Sequence, residues 1–274
     1  MIVMLTQVIA AILLILLFLY VFKKYPYKSS TSTLLTAAVF IMMFVVLNVF
    51  SRKIIIFGVE ALKISIASIP LMISGFFLPP SWAYLVGIVV DVLGLIVSPT
   101  SFPFLGFTLN NVLICVIPAL ISQNLKRLDI DKLNKTITVV SAVLCVIACT
   151  YITTLSSAKI DQAIIELTLV RKLIIMGILV LLTVVIVVSI YGMRKFVDEK
   201  NAKLFTLWVL VVIINEVLIN LICTPIWLQA MYGIPWYISM FIRVLKACIM
   251  IPLNMFVGFS LIKVLYQIRK SDII

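Results

Sequence analysis

The sequence contains no histidine, only ten acidic residues, and charged residues of any kind at only 12% of its length. Without histidine, HExxH and Cys-His zinc sites, Ser-His-Asp triads and histidine proton relays are excluded. No Walker A pattern occurs, so the chain carries no phosphate-cradling loop with which to hydrolyse ATP. No internal repeat stands out, which argues against a transporter built from inverted repeats. The five cysteines, Cys115, Cys145, Cys149, Cys223 and Cys248, all lie in apolar runs. Cys145 and Cys149, four apart on one helix face, read as packing rather than as a redox or metal pair. No metal and no cofactor is expected.

What remains is apolar. Hydrophobic residues make up 64% of the chain, against about 45–50% in soluble domains, so an all-α integral membrane protein is predicted. A length of 274 residues accommodates about nine spans of roughly 20 residues joined by short links. The formal charge of +12 is carried by small clusters beside apolar runs. A continuous basic stripe is missing, so the partner of these clusters is the anionic lipid surface and not nucleic acid.

Spans are expected at Ile2 to Phe22, Leu34 to Phe50, Ile64 to Leu78 and Ser81 to Ser98, with a fifth ending near Gln123. Four more are expected at Thr136 to Leu155, Arg171 to Gly192, Leu204 to Cys223, and from Trp236 to about Ile268. Pro79-Pro80 marks a turn, and Gly58 to Lys63 and Pro99 to Gly106 read as loops. The fourth span carries Gly87, Asp91, Gly94 and Ser98 on one face, a small-residue stripe that favours close helix approach with a carboxylate set into it. The last helix exceeds a bilayer's thickness, so it is expected to bend at Pro252 or to project beyond the lipid. Alternating sides places Lys23, Lys24, Lys126, Arg127, Arg194 and Lys263 with most of the other cations on one face. By the positive-inside rule the N-terminus is outside and the C-terminus cytoplasmic, in a multi-pass protein of the cell membrane.

Four ionisable side chains fall well inside spans: Asp91, Glu216, Arg243 and Lys246. An arginine or lysine in a membrane helix costs roughly 2.5–3.5 kcal/mol on insertion scales, so each needs a partner or a task. The formal charges of the four cancel, and interhelical ion pairing is one account of them. Depth gives another. At 1.5 Å per residue, Asp91 and Arg243 lie roughly 10 Å and Glu216 roughly 14 Å from the outer helix ends. Above them, Thr224 to Trp236 reads as a membrane-surface loop with Trp227, Tyr232 and Trp236 around a Gly-Pro turn.

That combination suggests a pocket open to the outside. Arg243 and Lys246 share a face that Asn254 continues, an arrangement suited to a dianionic ligand. Glu216, Asn220 and Thr224 repeat at four-residue spacing, facing the N–H donors of a flat heterocycle that the aromatics can stack upon.

These residues resemble a known group. Trp227-Leu228-Gln229-Ala230-Met231-Tyr232-Gly233-Ile234-Pro235, then Arg243-Val244-Leu245-Lys246 and Ile249-Met250-Ile251-Pro252, are similar to the loop and last helix of the folate-family S components of energy-coupling factor (ECF) vitamin transporters. Leu85 to Gly94 and Pro103 to Leu109 resemble two further motifs of that family, in the same order. The resemblance covers Leu34 to Asn124 and Leu204 to Ile268, and implies a six-helix core with an extra N-terminal helix and an extra helical hairpin. The implied layout is 1–30 for the extra helix and basic linker, 31–124 for core helices 1–4, 125–203 for the inserted hairpin and 204–274 for core helices 5–6 with the tail.

The function so implied is capture of folate or a related pterin by a non-enzymatic membrane subunit, energised by an ECF transmembrane coupling subunit and two ATP-binding subunits. Substrate-binding residues would be Arg243, Lys246, Trp227, Tyr232, Glu216, Asn220 and Asp91. Gating loops would carry Lys63, Phe102 and Phe104. The alternatives are an ion-coupled secondary carrier and an intramembrane lipid-modifying enzyme. The topology is tested by reporter fusions: green fluorescent protein after Ile274 is expected to fluoresce, and alkaline phosphatase inserted after Thr100 to be active. The opposite pattern would invert the assignment.

Overall fold

The computed structural model describes residues 2–56, 59–64, 66–97, 103–123, 130–154, 157–160, 163–166, 168–195, 197 and 199–271, the side chains of both hairpins and of some helical residues excepted. Eight of its helices are long and apolar enough to cross a membrane, and the chain is a multi-pass, all-α integral membrane protein. It divides into two compact units. The first comprises Met1–Lys126 with Val217–Gly233, the second Arg127–Glu216 with Ile234–Ile274.

The first unit begins with α1 (Ile2–Lys24), whose only basic residues in the last turn are Lys23 and Lys24. Helix α2 (Thr31–Val49) starts at Ser30, whose hydroxyl accepts from the Thr33 N–H at 3.2 Å, a serine N-cap on one of the helix's orphan donors. Next come β1 (Arg52–Ile56) and β2 (Val59–Ile64), an antiparallel hairpin with a register shift between Ile54 and Ile55. Then α3 (Ser68–Phe77), α4 (Pro80–Val97) and α5 (Leu105–Gln123) follow.

Two sequence expectations are corrected here. The stretch read as a loop at Gly58 to Lys63 is largely hairpin strand, in keeping with the β-branched residues of Arg52 to Ile64. The third span is not a full crossing. Ile64 belongs to β2 and the helix begins only at Ser68, which leaves α3 ten residues long, about 15 Å of helix against a hydrocarbon core of about 30 Å. Pro70 sits in its first turn, where a missing N–H costs nothing, and Pro79-Pro80 closes it. Ile69 to Phe76 are all buried, so α3 is core rather than lipid-facing wall.

Helix α5 is the centre of this unit. A Cβ on Gly75 of α3 would lie 2.5 Å from the Cys115 carbonyl oxygen, and one on Gly87 of α4 would lie 2.5 Å from Val112 Cα. Both neighbours are backbone and cannot swing aside, so these glycines set the distance at which α3 and α4 meet α5. Gly94, further along the predicted stripe, instead faces the Phe44 ring of α2 at 3.8 Å. Helix α1 and the link after it also join this unit: the Tyr84 hydroxyl donates to the Leu14 carbonyl of α1 at 3.1 Å, and the Trp82 indole to the carbonyl of Lys28 in the link at 3.0 Å.

The second unit holds α6 (Ile130–Thr154), a hairpin of β3 (Ser157–Ile160) and β4 (Ala163–Glu166), α7 (Leu169–Arg194), α8 (Glu199–Ile214) and α10 (Trp236–Ser271). Helix α10 runs on through Pro252 for 36 residues, about 54 Å, and so outruns the hydrocarbon. Trp208 of α8 is fully buried, and its indole donates to the Asn254 carbonyl at 3.0 Å. The ring lies where a Cβ on Gly258 would stand, which makes glycine the residue that admits it.

Between α8 and α9 (Thr224–Tyr232) the chain forms a π-helical segment, Asn215–Cys223. Pro225 has no N–H and its ring crowds the carbonyl one turn back, and a π turn is how a helix absorbs such a mismatch without breaking. The Thr224 hydroxyl donates to the carbonyl of Ile219, five residues back, at 2.7 Å. The stretch Thr224 to Trp236, expected as a surface loop, is thus mostly helix. Only Gly233 to Pro235 are non-helical, with Gly233 at φ 69° in the left-handed region that ends α9.

Substituting Gly87→Ala is expected to lower stability by about 1–3 kcal/mol through overpacking against α5. Gly177→Ala on α7, where a Cβ meets nothing within 4 Å, is the control and is expected to be neutral or slightly stabilising. Thermal unfolding of the two variants in one detergent distinguishes them.

Candidate functional site

In the first unit Asp91 is half-buried on α4, and both its oxygens are engaged by α5. The Thr108 hydroxyl donates to Oδ2 at 2.7 Å and the Asn111 amide to Oδ1 at 2.8 Å. Two neutral donors one turn apart on α5 therefore hold this carboxylate, the arrangement a lipid-buried acid needs when water is excluded. Gly87, one turn before Asp91, supplies the close approach that lets these short side chains reach.

The aromatic part of the predicted site is built on α9 and on the start of α5. Trp227 is 6% exposed, so it is not an interfacial anchor. Its indole N–H donates to Asn110 Oδ1 at 3.1 Å, and Asn110 Nδ2 donates to the Thr224 hydroxyl at 3.1 Å. The Phe104 ring packs on the indole with centroids 5.8 Å apart. A Cβ on Gly106 would come within 2.7 Å of the indole ring, so the chain passes the tryptophan here because residue 106 has no side chain. Asn220, in the π segment, and Tyr232, at the end of α9, are half-buried in the same unit. The four-residue repeat of Glu216, Asn220 and Thr224 presumed 3.6 residues per turn; the π segment interrupts that period.

In the second unit Glu216 and Arg243 are 5% and 7% exposed. The Asn254 amide donates to Glu216 Oε1 at 3.2 Å, and Arg243 Nε donates to the Ser239 hydroxyl at 3.4 Å. Glu216 also acts electrostatically on the Arg243 guanidinium. Lys246, one turn further along α10, is half-buried. Among the described residues, no hydrogen-bond partner reaches the buried Asn254 Oδ1, Thr206 Oγ1 or either polar atom of the Asn215 side chain. An unmade hydrogen bond on a buried group costs about 1–3 kcal/mol, so each of these groups calls for an explanation.

Phe102, the Lys63 side chain and Ser98 lie outside the described residues. Sequence reasoning passed over Asn110, Trp208, Asn215 and Gln7. The signal for Gln7 was available: an amide inside the apolar run of α1 must find a partner. The indole of Trp208 gave no such signal, because tryptophan is as common at membrane interfaces as in cores.

No protein-family model matches the sequence, and no curated protein does. Among solved structures, one of FolT bound with folic acid is similar at a TM-score of 0.49 and 20% identity, over 86% of this chain and 98% of that one.

Replacing Trp227 by phenylalanine keeps a ring against Phe104 and removes the donor to buried Asn110. A loss of about 1–3 kcal/mol is expected for the acceptor left unsatisfied, read as a lowered midpoint of thermal unfolding. In an Asn110→Leu background the same replacement is expected to cost almost nothing, and equal costs in both backgrounds would show that the bond contributes no stability.

Proposed function

We propose that the chain is the substrate-binding subunit of an ECF-type vitamin uptake transporter, and that it captures folate or a related pterin. Within it Arg243 is the cationic anchor for a ligand carboxylate. The observation that carries this reading is a guanidinium 7% exposed in a membrane helix beside a carboxylate 5% exposed. Holding both ions away from water is expensive, and a pair kept only for stability is often no better than well-packed apolar residues. A ligand carboxylate that takes up the guanidinium in two parallel hydrogen bonds gives the cation a task, with Glu216 balancing its charge beforehand.

The unpartnered Asn254 Oδ1, the Asn215 amide and the Thr206 hydroxyl support the reading, because a heterocycle edge with alternating donors and acceptors is what such groups satisfy. The motif resemblance of Trp227 to Pro235, Arg243 to Lys246, Leu85 to Gly94 and Pro103 to Leu109 supports the vitamin class. On this reading Lys246 adds a second positive charge for a dianionic ligand, and Trp227 and Tyr232 provide aromatic faces. Asn220 and Asp91 are polar contacts on the same proposal, with Phe104, Phe102 and Lys63 on the segments that close over the ligand. A coupling subunit and two ATP-binding subunits supply the energy.

Charge-assisted hydrogen bonds contribute about 1.5–3 kcal/mol, so Arg243→Ala is expected to weaken folate binding roughly ten- to hundredfold. Arg243→Lys, which keeps the charge but not the fork, falls between. Titration of folate into the purified protein by calorimetry measures all three, and equal affinity in wild type and Arg243→Ala would sink the proposal.

A further inference from the structure

The start of α5 is held by a residue of α1. Gln7 Oε1 accepts from the Leu105 backbone N–H at 3.0 Å, and Gln7 Nε2 donates to the Pro103 carbonyl at 3.4 Å. The first turn of any helix has N–H groups without an intrahelical partner. They are ordinarily taken by the side chain just before the helix, a serine, threonine, aspartate or asparagine. Here that position is Phe104, which has no acceptor to offer. The cap comes instead from a different helix, ninety-eight residues earlier in the chain. Both ends of one amide are used, so the contact fixes the path of residues 103 to 105 and not merely one donor.

What lies on that path gives the contact its importance. Phe104 is 3% exposed, and its ring sits between Phe107 at 5.9 Å and Trp227 at 5.8 Å. The backbone of Gly106, two residues on, passes directly against the same indole. Trp227 is in turn fixed by Asn110 and, through it, Thr224. The geometry points to Gln7 as a positioning residue: α1 caps α5 in trans and so presses Phe104 onto Trp227. The capped segment is the one part of this chain of contacts with no helical hydrogen bond of its own before Phe107 N–H meets the Phe104 carbonyl at 2.9 Å. Breaking the Gln7 contact therefore releases Phe104 first, and with it one wall of the Trp227 ring. Insofar as this bears on ligand release, it rests on the folate reading above.

Hydrogen–deuterium exchange on the full-length protein in lipid nanodiscs, without ligand, tests the contact itself. In Gln7→Leu, a residue that α1 tolerates readily in a membrane, exchange at amides 105–107 is expected to rise roughly three- to tenfold, the equivalent of one hydrogen bond, with α10 unchanged. Gln7→Glu retains an acceptor oxygen and is expected to stay near wild type at Leu105. Unchanged exchange in Gln7→Leu, an equal rise in both variants, or a rise spread evenly over the whole chain would overturn the assignment. Folate release, followed by stopped-flow tryptophan fluorescence, is expected to quicken by a similar factor in Gln7→Leu. Release at the wild-type rate despite faster exchange would overturn the step from Phe104 to Trp227. A wild-type protein that binds no folate would defeat the folate reading alone, because the exchange arm needs no ligand.

Discussion

A polar group in hydrocarbon has no water to fall back on, and it must find its partner within the protein. The α4–α5 contact is organised by that constraint. Gly87 and Gly75 bring α4 and α3 to within backbone contact of α5. At this separation the short side chains of Thr108 and Asn111 span the gap to Asp91. A larger residue at position 87 would widen the gap and leave the carboxylate short of its donors, so packing and polar satisfaction are one requirement here and not two. The same coupling operates between α8 and α10. Gly258 makes room for Trp208, which donates to the carbonyl of Asn254, the residue whose amide holds Glu216.

Much of this was legible in the sequence, and the limits have physical causes. Eight of the nine expected apolar segments coincide, among the described residues, with helices long and apolar enough to cross a membrane, because a lipid-length run of apolar residues has few other fates. The failure at α3 came from reading hydropathy alone: Ile64 is as apolar in a strand as in a helix, and only backbone pairing with Arg52 tells the two apart. Asp91, Glu216 and Arg243 were singled out because ions in a membrane are rare. The partners of Asp91 were not foreseen, since charge balance offers ion pairing as one account of these residues while the side chains that reach Asp91 are neutral hydroxyl and amide groups. A neutral amide in an apolar run signals that it needs a partner, but not which one. Asn110, Asn111, Asn215 and Asn254 differ in role only through what surrounds them.

The π segment shows how local chemistry decided a feature that periodicity missed. The aromatics around the Gly-Pro turn suggest a membrane-surface loop over Thr224 to Trp236, yet the chain is helical from Thr224 to Tyr232. The helical path continues through a π segment into α9, and within the widened turn the Thr224 hydroxyl donates to the carbonyl of Ile219. Trp227 consequently lies on a helix, buried, and not on a membrane-surface loop.

That hydroxyl also fixes the orientation of the Asn110 amide, whose oxygen and nitrogen are hard to tell apart by shape. The Thr224 hydrogen is committed to Ile219, so towards Asn110 its oxygen can only accept, and Asn110 must present its NH2 there. Trp227 can only donate, so Asn110 must present its oxygen on the other side. Each bond requires the next, from the π-turn carbonyl to the indole. An asparagine is the one amide short enough to stand between a threonine on one turn and a tryptophan on the next while its own backbone stays in α5. Aspartate would lose the donor and leucine both bonds. The orientation of Trp227 thus follows from the threonine three residues before it, whose hydroxyl is committed to the Ile219 carbonyl and so dictates which way the Asn110 amide faces.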